Sequence, residues 1–313
     1  MEADVSPSVR VARGTLYLYV QGILTSLMGV IFFAVATRVL PTADIGRLAT
    51  LSMVASLFPC VVTLSIPSAT IKYVSEWTGK SSPAVIKGIV VKSTFFGLIV
   101  GGITLVLCFA ASNMLSILLF GSEVYHMLLK ILAINIFGLI LVSSSVGILY
   151  GLQKFKEISV INVISSFVMY GGAVALLYAG YGLMGVVISW ASGNLLCALL
   201  YFYQALPLFR GYSEPFPFSK LVRFSLPLYG SDIANYLFMY IDRWLLLFYL
   251  TFSELGIYDI VLKAFSVLQL VLTSIGSTLF PQLSERYAKV GLEALKRGLA
   301  KVSRYVFLIY VPM

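Results

Sequence analysis

Leu40-Pro-Thr-Ala-Asp-Ile-Gly46 returns about 210 residues later as Leu250-Thr-Phe-Ser-Glu-Leu-Gly256, both fitting L-[PT]-x-[AS]-[DE]-[IL]-G. Each copy follows one long apolar run and opens another. Each second run ends in a proline with a basic–aromatic pair five residues on: Pro67 with Lys72-Tyr73, and Pro281 with Arg286-Tyr287. The echo reads as a duplicated hairpin of two membrane helices, which makes the chain two related halves.

Composition agrees. Mean hydropathy is +0.96, with 59% apolar and 11% charged residues, which excludes a water-soluble globule. Apolar runs of about twenty residues recur, each long enough as a helix to cross a hydrocarbon core of roughly 30 Å. A helix satisfies its own backbone hydrogen bonds, so these runs are read as helices. Spans fall near residues 15–37, 45–66, 88–111, 124–150, 157–179, 182–206, 222–248 and 255–279, and a ninth begins near 298. The first run is read as a retained span rather than a cleaved signal peptide, because no small-residue cleavage site follows it.

Charge placement sets an expected orientation. With Arg10 and Arg13 in the cytoplasm, most of the 22 basic residues fall on one side, among them Lys72, Lys80, Lys154, Lys156, Lys220 and Arg286. That is the positive-inside pattern, so the net charge of +9 is read as topological and not as a nucleic-acid footprint. Six spans separate the two copies, and six is even, so both hairpins cross in the same direction. The expected fold is therefore an all-α polytopic membrane protein, a two-lobe helical bundle with parallel six-span repeats and a truncated C-terminal lobe. Residues 1–208 form the N-terminal lobe and 209–218 a cytoplasmic linker. Residues 219–313 form a partial C-terminal lobe holding spans seven, eight and the start of nine. Residues 67–87 and 282–301 read either as amphipathic helices on the cytoplasmic surface or as charged loops.

Chemistry-bearing residues are few. Cys60, Cys108 and Cys197 sit in three spans without metal-ligand spacing and read as apolar fillers. His126 has no nearby Cys or His to complete a metal site. No serine elbow, phosphate loop or nucleotide fingerprint occurs, so no metal, cofactor or enzyme activity is expected. The basic residues Arg38, Arg47, Lys130, Arg243 and Lys263 lie at or inside the outer half of the bilayer. A charge near the membrane centre costs about 2.5–3.5 kcal/mol or more, so such residues face a bundle interior or water. Arg38 and Arg47 flank the hairpin turn and reach either a cavity or the outer headgroups; Lys130 either enters the bundle or snorkels.

Span seven places Asp232, Asn235, Tyr236, Met239, Asp242 and Arg243 within an arc of about 120° at 100° per residue. Span eight puts Asp259, Lys263, Ser266, Thr273 and Ser277 on one face. These stripes either line a hydrated cavity or neutralise one another as helix-to-helix glue. In the first reading Arg38, Arg47, Asn235, Tyr236, Asp242, Arg243, Asp259 and Lys263 are the candidate substrate-binding residues, and a cationic lining suits a phosphate group. Asp232 lacks a partner within one turn; it is either an ion- or proton-coupling carboxylate or is paired to another span. The repeated motif itself is read as structural, with Asp44 and Glu254 in first helical turns and Gly46 and Gly256 permitting close helix approach. Serines and asparagines elsewhere in the spans are read as bonds across helices.

The chain resembles the polysaccharide biosynthesis and O-antigen-type flippases of the multidrug/oligosaccharidyl-lipid/polysaccharide (MOP) superfamily. The resemblance rests on Arg38-Val-Leu-Pro-Thr-Ala-Asp-Ile-Gly46, Phe224-Ser-Leu-Pro-Leu228, Asp242-Arg243 and Leu279-Phe-Pro-Gln-Leu-Ser-Glu-Arg286. It implies two lobes around a central cavity and movement of lipid-linked oligosaccharides, carried on polyprenyl phosphate or pyrophosphate, from the cytoplasmic to the outer leaflet of the plasma membrane. Expected partners are that lipid-linked glycan, membrane lipids and glycosyltransferases or a polymerase of the same pathway. A cation-coupled drug antiporter of the same superfamily is the first alternative, and a membrane glycosyltransferase or polymerase the second.

Overall fold

The computed structural model describes residues 7–209 and 212–265, and the first compact unit closes at Ile257. Among the described residues there are helices and no strands. They are α1 (Pro7–Val39), α2 (Thr42–Val62), α3 (Ile66–Gly79), α4 (Pro83–Ala110), α5 (Ser112–Phe120) and α6 (His126–Gly151). There follow α7 (Phe155–Ser166), α8 (Gly172–Tyr178), α9 (Gly182–Ala205), α10 (Phe218–Tyr249) and α11, residues 252–265. Among the described residues, six stretches are long and apolar enough to cross a membrane: Arg13–Val39, Thr42–Val62, Pro83–Ala110, Glu123–Gly151, Phe155–Tyr178 and Gly182–Phe209. The protein is a multi-pass membrane protein. The remainder of the eighth span, the ninth, Pro281, Arg286-Tyr287, residues 282–301 and the polar positions Ser266, Thr273 and Ser277 lie outside the described residues.

Span two stops earlier than its hydropathy suggests. Pro59 cannot donate a backbone hydrogen bond, and the helix ends at Val62, with the Thr63 N–H still reaching the Pro59 carbonyl at 3.2 Å. Leu64 and Ser65 then adopt φ of 51° and 55°, the left-handed region that side chains rarely enter. The chain resumes as α3, with Pro67 in its first turn. Residues 66–79 are therefore helical rather than loop. Ile66, Ala69, Thr70 and Val74 are buried, while Lys72, Ser75, Glu76 and Lys80 are exposed. Gly147 and Gly151 of α6 let α3 approach so closely that a Cβ at 147 would sit 2.9 Å from the Pro67 carbonyl oxygen.

Spans are joined by the polar contacts that low-dielectric packing requires. The Asn194 amide donates to Asn135 at 2.8 Å between α9 and α6, and the Tyr201 hydroxyl donates to Asn162 at 2.6 Å. Thr70 donates to Ser93 at 2.9 Å. Between α7 and α8 the helix widens into one π turn, Phe167–Gly171, and Ser189 donates into it at the carbonyls of Val168 and Met169, at 3.0 and 2.9 Å. These carbonyls also accept from the Gly172 N–H, so the serine adds a second donor from α9 at the widened turn. The segment before α10 is seated rather than loose. Phe216 is buried, the Glu214 N–H donates to Ala84 O at 3.1 Å, and Lys92 Nζ donates to Phe216 O at 2.6 Å.

Candidate functional site: a broken helix faced by a polar ladder, and a contact between the repeated motifs

Two features converge on α2. The first is the seam with α10, which runs antiparallel to it. Asp232, Tyr236, Tyr240 and Trp244 recur every four residues, so they climb one side of α10. The Tyr236 hydroxyl donates to the Met53 carbonyl at 3.0 Å and accepts from Trp244 Nε1 at 2.9 Å. The Tyr240 hydroxyl meets Ser56 Oγ at 3.2 Å. At the foot of the ladder Ser65 Oγ donates to Asp232 Oδ2 at 2.5 Å, and Cys60 Sγ donates to the Asp232 carbonyl at 3.5 Å. Asp232 therefore has its partner on another span, at the left-handed break between α2 and α3. The carboxylate remains exposed. Irregular backbone at membrane depth is tolerated where it is buried in protein or lines a hydrated space, and transporter ligand sites are commonly built at such broken helices.

The other predicted residues of span seven separate. Tyr236 is buried against α2, whereas Asn235 and Met239 are exposed and point away from it. Asp242 accepts from the Arg243 N–H at 2.8 Å, and the Arg243 guanidinium donates to Met239 O at 3.1 Å and lies 5.5 Å from the Tyr240 ring centroid. Arg38 is exposed in the last turn of α1, and Lys130 is half-buried in the first turns of α6. On α11 Asp259 is buried and Lys263 exposed. Ser56, Cys60, Ser65, Tyr240 and Trp244 were not among the residues expected from sequence. The signal available in the sequence is Pro59, which has no N–H to give the Ala55 carbonyl and so marks α2 as a helix with a weakened hydrogen-bond ladder.

The second feature is the repeated motif. The two copies pack on each other. Thr42 Oγ1 and Ser253 Oγ are 2.7 Å apart. A Cβ on Gly46 would collide with the carbonyl oxygen of Phe252, and a Cβ on Gly256 would collide with that of Thr42. Thr42 and Phe252 are equivalent positions of the repeat, as are Gly46 and Gly256. Exchanging the copies thus maps one collision onto the other, which is the signature of a local two-fold axis between the two glycines. Beside the axis, Arg47 pairs with Asp44 at 2.5 Å and lies over the rings of Tyr125 and Phe252, at 5.1 and 5.3 Å. Phe120 packs on both rings. Arg47 Nε is buried with no hydrogen-bond partner among the described residues. Arg47 is therefore held in an aromatic box in this conformation rather than opening into a cavity.

The copies differ in how they cap. Thr251 and Glu254 form a reciprocal capping box: the Thr251 N–H and hydroxyl both donate to Glu254 Oε2 at 2.8 Å, and the Glu254 N–H donates back at 3.4 Å. These bonds hold the Glu254 carboxyl below the usual carboxylate range, the Thr251 N–H contributing most. Pro41 precedes α2 and has no side chain able to cap, which leaves Asp44 for Arg47.

Comparison with known folds follows the same line. The chain has the fold of a MOP-superfamily transporter. It superposes on an inward-facing multidrug resistance MATE family transporter of the MOP superfamily with a TM-score of 0.60 at 15% identity, over 96% of this chain and 68% of that one. It superposes on a MOP superfamily transporter from Pyrococcus furiosus, described by the reverse polarity of its binding pocket, with a TM-score of 0.61 at 14% identity, over 97% of this chain and 70% of that one. No curated protein sequence matches it. The model of the polysaccharide biosynthesis protein family matches residues 11–286, and the chain belongs to that family.

Proposed function

We propose that the protein moves a lipid-linked saccharide precursor, carried on polyprenyl phosphate or pyrophosphate, across the plasma membrane to its outer leaflet by alternating access. The observation that carries this reading is a polysaccharide-biosynthesis sequence wearing a transporter fold over the same residues. The N-terminus lies in the cytoplasm, residues 1–208 and those from 219 onward act as the two rocking halves, and the segment 209–218 couples them. Arg243, Arg38 and Lys263 attract the phosphate, with Asn235, Tyr236, Asp242 and Asp259 shaping the passage. Arg47 joins them when the hairpin contact opens and releases it from Tyr125 and Phe252. The sugar and phosphate cross in a hydrated passage while the prenyl tail stays in lipid, and glycosyltransferases or a polymerase of the pathway supply and consume the cargo. The protein acts as a carrier and not as an enzyme.

Reconstituted in liposomes, the protein should flip lipid-linked oligosaccharide, and Arg243→Ala should abolish flipping; unimpaired flipping by that variant refutes the phosphate role. The Asp232–Ser65 pair favours a second reading, a cation-coupled antiporter, because an exposed carboxylate at a helix break is a proton or cation acceptor. Proton-driven export of a small cationic solute, with no flipping of the lipid-linked glycan, would select it.

A further inference from the structure

A cleft of about 740 Å³ opens at the end of the bundle where α1 begins, away from the α2–α10 seam. Its walls are the start of α1, the exposed side of α3 and the turn from α6 into α7. Arg13, Lys154 and Lys156 line it, with Glu157 the one carboxylate among the described lining residues. Hydrogen-bonding side chains from each wall join them: Tyr17, Ser75, Thr78 and Gln153.

The floor is built by close approach. Gly14 of α1 takes the ring of Phe155 where a Cβ would stand, and Gly151 of α6 lies against Val74, 2.7 Å from a would-be Cβ. Gln153 turns the chain with φ of 57°, so that α7 starts at the cleft, and its N-cap Lys154 makes no side-chain cap. No N-cap side chain covers the first turn of α7, and the positive end of its dipole adds to the three cations.

The position of Arg13 and Tyr17 on α1 gives the second half of the ligand. Continuing from them at the same heptad spacing are Val20, Leu24, Leu27 and Ile31, exposed by 46, 40, 52 and 61%. One continuous stripe therefore begins cationic and hydroxylated and ends apolar, the pattern of an amphiphile with an anionic head. Basic pockets between membrane helices hold anionic headgroups in this way.

We propose that this cleft is a binding site for an anionic phospholipid of the surrounding leaflet, its phosphate held by Arg13, Lys154, Lys156 and the α7 N-terminus, with an acyl chain along the α1 stripe. The assignment does not depend on what is transported. It is tested on the purified full-length protein in mixed phosphatidylglycerol/phosphatidylcholine nanodiscs, by native mass spectrometry of retained lipid after delipidation.

The wild-type protein should retain phosphatidylglycerol over phosphatidylcholine. Arg13→Gln/Lys154→Gln/Lys156→Gln should lose that preference by about tenfold or more, as expected for removal of charge-assisted contacts. Lys80→Gln, on the same side but outside the cleft and paired with Glu76, should keep it. An unchanged triple variant of native elution and melting behaviour overturns the proposal, as does equal loss in Lys80→Gln. If the triple variant does not fold, Lys154→Gln alone is read in the same way. Preferential capture of farnesyl pyrophosphate over phosphatidylglycerol overturns the choice of lipid. Failure of glycan flipping with lipid retention intact would sink the transport reading and leave this one standing.

Discussion

The contact between the two repeat copies makes a sharp prediction about gating. Thr42 Oγ1 and Ser253 Oγ stand 2.7 Å apart across the local two-fold, so Thr42→Cys with Ser253→Cys, in a background lacking Cys60, Cys108 and Cys197, should cross-link rapidly under mild oxidation. The cross-link should hold the first turns of α2 and α11 together and stop turnover, and reduction should restore it. Gly46→Ala then perturbs the same contact without chemistry. Its Cβ has no room beside the Phe252 carbonyl, and overpacking of this kind costs about 1–3 kcal/mol. The cost falls only on the closed arrangement, so the closed population should drop by about 5- to 150-fold relative to the open one. The cysteine pair placed on Gly46→Ala should cross-link correspondingly more slowly. By the symmetry of the collisions, Gly256→Ala should slow it by a similar factor. The double substitution should fall short of the product of the two, because either alone separates the same surfaces. Unchanged cross-linking in Gly46→Ala, or a large effect from one glycine and none from the other, would refute the two-fold arrangement.

Other consequences follow from the seam and the caps. Tyr236→Phe removes the hydroxyl shared by Met53 and Trp244 and should cost about 0.6–1.7 kcal/mol in detergent-solubilised stability, read by thermal melting, with Trp244→Phe adding little once the hydroxyl is gone. Glu254 is depressed in the folded chain, so the stability its capping box adds is present at neutral pH and is lost as pH falls below the ordinary carboxylate range through the lowered value. Glu254→Gln keeps a neutral cap, and should therefore flatten that acid limb by lowering stability at neutral pH to the level the wild-type protein reaches in acid. Asp232→Asn should leave binding of lipid-linked cargo intact while removing the response of turnover to an imposed proton gradient; a response equal to wild type would rule Asp232 out as the coupling group.

The sequence showed most of the helical plan because hydropathy and length decide where a chain can cross lipid. The six apolar spans begin and end within a few residues of the expected limits. The boundary expected at residue 66 falls at Val62 for a local reason: the apolar run continues, but Leu64 and Ser65 turn into the left-handed region and end the helix. Gly46 and Gly256 are close-approach positions, as their repeat amid bulky apolar residues implies. What stayed hidden was pairing between elements. Nothing in the order of residues says that Ser65 meets Asp232 or that Trp244 meets Tyr236. Those contacts depend on the rotation of α10 about its axis: at about 100° per residue, Asn235 and Met239 lie about 100° round from Tyr236 and Tyr240, which leaves them exposed while their neighbours meet α2.

The duplicated hairpins also explain why Arg47 is where it is. A two-fold contact between identical motifs would be electrostatically even, each copy capping its own helix. Here the first copy has Pro41 at the cap position and the second has Thr251, so one acid is free for a cation and the other is not. The position equivalent to Arg47 in the second copy is Ile257, and the single guanidinium is covered by Phe252 from the opposite copy as well as by Tyr125. Symmetric glycines bring the hairpins together, and one asymmetric cation ties them. That division lets the strength of the closed contact be tuned at a single residue without disturbing the backbone fit. Arg47→Lys should keep the Asp44 pairing yet weaken the aromatic covering, because a compact ammonium lacks the planar face that stacks between two rings. It should therefore speed opening in the cysteine cross-linking measurement while leaving the collision geometry of Gly46 and Gly256 as it is.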